Sequence, residues 1–121
     1  MFAEPGCARL KTGKAKSMDI SFIRQAVASN RYEISQHADK ERRNDDLSFA
    51  DIENAIETGK IIELYPNDPR GPSCLVFGRA RDGRPIHLAI GFLPCNWVRI
   101  ITVYIPDPEG WGCDWATRRR G

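Results

Sequence analysis

The chain has 121 residues, of which 41% are apolar and 28% charged, with a formal net charge of +2. That length supports one domain around one core and leaves no room for two comfortable ones. The composition fits a globular protein, and the small positive charge permits contact with nucleic acid without specifying it. No run approaches the roughly eighteen apolar residues of a membrane span. The opening MFAEPGCARLKTGKAKS has no apolar stretch of the secretory kind. Cys7, Cys74, Cys95 and Cys113 are scattered without a CxxC pair, so they read as reduced thiols in a cytoplasmic protein with no membrane contact.

Residues 1–17 read as a flexible basic leader, carrying Arg9, Lys11, Lys14 and Lys16. The single domain is expected over 18–111. Its first helix follows from Ile20, Ile23 and Val27 at helical spacing, ending at Asn30 and the Arg-Tyr after it. Ser35 is placed to cap a second helix, QHADKERRN, with His37 in its first turn. Ser48 and Asp51 form a capping box for a third helix, with Leu47 and Ile52 as its hydrophobic staple. Phe49, Ile52 and Ile56 are expected on its buried face and Gly59 as the residue after its end. Residues 39–57 hold Asp39, Glu41, Asp45, Asp46, Asp51, Glu53 and Glu57 against Lys40, Arg42 and Arg43, so this helical layer is acidic.

The second half reads as an antiparallel meander of short Ile-, Val-, Leu- and Phe-rich runs. PNDPRGP, residues 66–72, must be a loop because prolines donate nothing to a ladder. Asp82-Gly83 is a hairpin signal, and Pro94 and Asn96 mark the turn before the last strand. Cys74 is a buried strand position and Cys95 a turn position. Residues 112–121 are a basic tail whose upstream neighbour Trp111, with Trp115, either docks on the body or belongs to a loose arm. The fold class is α+β: N-terminal helices packed on a four-stranded, mainly antiparallel sheet.

Alternation puts Ile86, Leu88, Ile90 and Phe92 on the helix side of their strand, and His87, Ala89 and Gly91 on the other. His87 is there either a groove residue or a solvent-facing histidine without a role. His37, near a helix N-terminus, suits a general base or simply binds loop backbone. In the last strand Thr102 and Tyr104 share a face, and Arg79 on a neighbouring strand can join them. Imidazole, phenol, hydroxyl and guanidinium on one face suit a phosphodiester, with arginine neutralising the phosphorane and histidines moving protons. There is no GxGxxG, P-loop, GxSxG or HExxH, and no zinc-ligand spacing.

The run YEISQHADKERRNDDLSFADIENAIETGKIIELYPNDPRGPSCLVFGRARDGRPIHLAIGF, closed by RIITVYIPDPEGW, resembles the DUF4258 family of small bacterial proteins. The resemblance covers residues 32 to about 111. It rests most on the histidine before the helix, the IIE-YP-D-PRGP segment, GRPIHLAI and the IITVY-PDP ending. It implies similarity to RelE/ParE and BrnT toxins, often metal-independent ribonucleases neutralised by an antitoxin encoded alongside. Carried over by position, His37 matches the family's helix-opening histidine, His87 its strand histidine, and Thr102 with Tyr104 its terminal TVY. His37, His87 and Tyr104 are then the catalytic candidates, and Thr102, with Arg43 and Arg79 from the residues themselves, the substrate-binding ones. No metal or cofactor is called for. The family's arginines two and four residues after the first histidine are here Asp39 and Glu41, and an acidic helix repels phosphate. The leading expectation is thus a toxin-like endoribonuclease with an RNA substrate and an antitoxin partner on the open sheet face. The alternative is a non-catalytic protein-binding module of the same fold.

Overall fold

In the computed structural model the structure describes residues 19–118. The expected leader, residues 1–17, and the last three residues of the tail lie outside them. The described residues form helices α1 (Ile20–Ala28), α2 (Gln36–Asn44) and α3 (Phe49–Thr58). The strands are β1 (Tyr32–Ile34), β2 (Lys60–Tyr65), β3 (Ser73–Arg79), β4 (Pro85–Leu93) and β5 (Trp97–Tyr104). They make a five-stranded sheet in the order β1-β5-β4-β3-β2. The four-stranded expectation is therefore corrected by β1, which pairs parallel to β5 with Tyr32 opposite Val98 and Ile34 opposite Ile100. The other three pairings are antiparallel.

Local chemistry explains the helices. Asp19 caps α1 by accepting from the Phe22 N–H at 2.9 Å, and Ser35 caps α2 by accepting from the Ala38 N–H at 3.0 Å. At α3 the capping box closes in both directions, Ser48 with the Asp51 N–H at 3.1 Å and Asp51 with the Ser48 N–H at 3.0 Å. The bond from the Ser48 N–H, with a second from the Arg81 N–H to the other oxygen, holds the Asp51 carboxyl below the usual carboxylate range. The staple residues Leu47 and Ile52 are both buried. Phe49 departs from expectation: it is 42% exposed, and the Arg42 guanidinium lies over its ring at 4.0 Å.

Gly59 does follow α3, though in extended backbone (φ −92, ψ 178) and not a left-handed turn. Its reason is close approach. A Cβ there would stand 2.4 Å from the Ala55 carbonyl oxygen and 2.7 Å from that of Phe77, and at Gly78 only 1.8 Å from the Ala55 oxygen. Helix α3 thus rests backbone to backbone on β3.

The core lies between the helices and one sheet face, where Ile23, Ile52 and Ile56 meet Val76, Leu88, Ile90, Val98, Ile100 and Val103. Cys74 is buried there, which pushes its thiol up to about 12. Cys95 sits in the Pro94–Asn96 turn with φ 66 and is disulfide-bonded, which corrects the expectation of four reduced thiols; Cys74 and Cys113 are free.

The other sheet face is covered in part. After β5 the chain returns across it, Trp111 forms a bridge with Arg118, and the Trp111 side chain is buried. The tail is therefore docked, and the part of the sheet face around His87, expected to be open, is closed by residues 111–118.

The contact of α3 with β3 leaves no space for a methyl at Gly78. Gly78→Ala is expected to destabilise the protein by about 2 kcal/mol, an overpacking cost. Urea unfolding checks it: the midpoint should fall with the slope unchanged, and a wild-type midpoint would show that the two backbones are not in contact.

Candidate functional site

β4 carries the first candidate. His87 lies opposite Phe77 on β3 and Tyr104 on β5, and paired residues point to the same side of a sheet. It does project away from the helices, as alternation requires, yet it is 0% exposed. Trp111 packs edge-on against the imidazole with ring centroids 4.4 Å apart, and Phe77 and Tyr104 flank it at 5.9 and 5.3 Å. Its Nε2 is 2.7 Å from the Trp115 carbonyl oxygen and its Nδ1 3.2 Å from the Tyr104 hydroxyl.

A carbonyl only accepts, so Nε2 carries the proton and Nδ1 accepts from the phenol. Both nitrogens of the neutral ring are thereby satisfied. Burial holds the imidazole below its ordinary pKa of 6.5; the bond to the Trp115 carbonyl opposes this, the nearby Arg118 guanidinium adds to it, and Glu63 opposes it. Burial likewise raises Tyr104. Arg118 closes the arrangement, bonding both oxygens of Glu63 on β2 at 2.7 and 3.0 Å and lying over the Trp111 ring at 4.7 Å. Those bonds, with one from the Tyr65 hydroxyl, hold Glu63 low.

His37 is elsewhere. It is 67% exposed and borders a groove of about 320 Å³ between the start of α2, the loop ahead of β3 and the far halves of β4 and β5. The groove includes Ser35, Arg70, Ser73, Gly91, Arg99 and Ile101. His87 does not line this groove, so the two histidines do not meet in one cleft.

The groove has a sequence origin. In the PNDPRGP loop, Asp68 accepts from the Arg70 N–H at 2.9 Å and pairs with its guanidinium at 3.3 Å, while Gly71 turns at φ +117. The Phe92 N–H donates to the Pro72 carbonyl at 3.1 Å and ties that loop to β4. The register of β4 and β5 shifts between Ala89 and Ile90, which leaves Ile101 unpaired in a bulge beside Gly91. Arg99 is opposite Gly91 and 3.5 Å from Glu33 on β1.

Of the remaining candidates, Thr102 shares the His87 side of the sheet but bonds to Glu41 on α2. Arg43 pairs with Asp39 at 2.8 Å beside a different hollow, lined by Gln36, Asp39, Lys40 and Asn44. Arg79 donates to the Gly83 carbonyl at 3.0 Å in the β3–β4 hairpin. His87 and Tyr104 are thus brought together, while His37, Arg43 and Arg79 occupy three separate surfaces. Arg70, Arg99 and Ser73 were not singled out from sequence. Arg99 was legible, because alternation about the buried Val98 and Ile100 places it on the opposite face.

Fold and site define a small α+β protein with one sheet face packed by helices, the other partly covered by the returning tail, and a groove that holds two arginine–carboxylate pairs. A family model described as a domain of unknown function, DUF4258, matches residues 34–105, and the chain belongs to that family. No curated protein and no solved structure matches it. Among the described residues no helix is long and apolar enough to cross a membrane, and no group of three or more His, Cys, Asp or Glu is arranged to hold a metal ion.

The His87 environment fixes the sign of a pH effect. Its folded pKa is depressed, so the unfolded chain takes up the proton first, and the stability this histidine contributes is complete well above pH 6.5 and lost as pH falls below it. Chemical unfolding from about pH 8 to about pH 5 should show a loss of stability in the wild type that is reduced in His87→Gln. Parallel profiles would mean that His87 titrates as it does in water.

Proposed function

We propose that the protein is a toxin-like endoribonuclease working at the His37 groove, independent of metal, and held in check by an antitoxin. The observation that carries this reading is the gathering of an imidazole, two serines and two guanidiniums, the latter paired with Asp68 and Glu33 and able to turn to a phosphate, around a hollow of about 320 Å³. His37 in its neutral form takes the proton of a ribose 2′-hydroxyl as that oxygen attacks the adjacent phosphorus. Arg99 and Arg70 neutralise the added charge on the phosphorane, the 5′-oxygen departs, and it receives a proton from solvent or from the imidazolium just formed. The products are a 2′,3′-cyclic phosphate and a 5′-hydroxyl, so atoms and charge balance with one histidine.

His87 and Tyr104 have a supporting role in this scheme, because Trp111 and the Trp115 carbonyl occupy the approaches to the ring. An antitoxin would close the groove, since the sheet face over His87 is taken by residues 111–118.

The test is cleavage of a structured RNA by purified protein in EDTA, with His37→Ala and Arg99→Ala beside the wild type. His37→Ala should lower the rate about a hundredfold or more, the usual worth of a general base. Arg99→Ala should do so by a similar factor. Absence of cleavage by the folded wild type rejects the nuclease and leaves the groove as a binding surface.

A further inference from the structure

Beyond the groove's own residues stands Glu41, whose two carboxylate oxygens have separate duties. Oε1 accepts from the Thr102 hydroxyl and, at 3.1 Å, from the Val103 N–H; Oε2 is 3.3 Å from His37 Nε2. The first pair of bonds has a clear origin. β1 stops at Ile34, and Ser35 continues its edge by donating from its N–H to the Ile100 carbonyl at 3.0 Å and from its hydroxyl to the Ile101 carbonyl at 2.8 Å. Beyond that point the β1 edge of β5 has no strand beside it among the described residues, and Glu41, one turn after His37 on α2, takes its next N–H.

An exposed His–Glu pair one turn apart holds little by itself. This one differs because the carboxylate is anchored to the sheet and loses little freedom when the imidazole binds. We infer that Glu41 is a positioning residue that fixes His37 as the Nε2–H tautomer and leaves Nδ1 as the proton acceptor. The inference builds on the nuclease reading for its purpose, though the tautomer exists without RNA. Glu41 is thus used twice, to complete the edge of β5 and to orient the histidine beside it.

Glu41→Gln separates those two uses. The amide oxygen can still accept from Thr102 and Val103, whereas the amide nitrogen now donates toward His37 and calls for the Nδ1–H tautomer. Nitrogen-15 NMR of the imidazoles, at a pH where they are neutral, reads this directly. Free imidazole side chains already favour Nε2–H, so the decisive result is a change of His37 toward Nδ1–H in Glu41→Gln while His87 keeps its resonances. Thr102→Val, which removes one anchor of the carboxylate, should broaden or shift His37 in a protein that still folds. Unchanged His37 nitrogen shifts in both variants overturn the inference. If the wild type cleaves RNA, Glu41→Gln should lower kcat at least tenfold with KM little changed. If it does not, the nuclease reading fails while the NMR result stands on its own.

Discussion

A single imidazole without solvent contact joins the end of the chain to the sheet. His87 has two polar nitrogens in an interior where an unpaired one is costly. The partners that satisfy them come from a neighbouring strand, through Tyr104, and from the returning tail, through the Trp115 carbonyl. Remove the tail and the histidine, Phe77 and Tyr104 become a wet aromatic face. With it in place the sheet is packed on both sides, by helices through Leu88 and Ile90 and by Trp111 through His87. Arg118, bound to Glu63 on β2, fastens the far end of the same segment.

This constraint reorders the chemistry. A histidine that serves as a bonding partner on both nitrogens, under a tryptophan, is spent on structure. What remains accessible is His37, on α2 beside the outer edge of β5, where the short β1 gives way to that helix. The same local event, the end of β1 after three residues, lets Glu41 reach the sheet edge and shapes the mouth of the groove. Fold and site are therefore coupled at the β1–α2 junction, and the bulge at Ile101 opens the floor beside Gly91.

Much of the fold was legible in the residues. Caps at Ser35 and Ser48, the Asp82-Gly83 hairpin and the alternation around His87 are short-range signals, and each element formed where they placed it. β1 is not legible in the sequence, because three residues carry no period and its stability comes from pairing with Val98 and Ile100, more than sixty residues away. Helical spacing places Gly59 just after the helix end, where it lies, but its necessity comes from the approach of β3, which no local pattern encodes. Phe49 obeyed helical spacing and still faces Arg42, since staple geometry had already filled the core with Leu47 and Ile52. The site was the least legible part. That His87 points away from the helices follows from alternation; that Trp111 covers it depends on where an aperiodic tail folds back.

The division of labour between the two histidines is the centre of this picture, and diethyl pyrocarbonate tests it directly. The native protein would be treated briefly and each histidine's carbethoxylation followed by mass spectrometry. His37 should react at the rate of an exposed imidazole, while His87 stays unmodified until the protein is unfolded. Equal reaction at both residues in the native state would mean that the tail does not seal His87 from solvent.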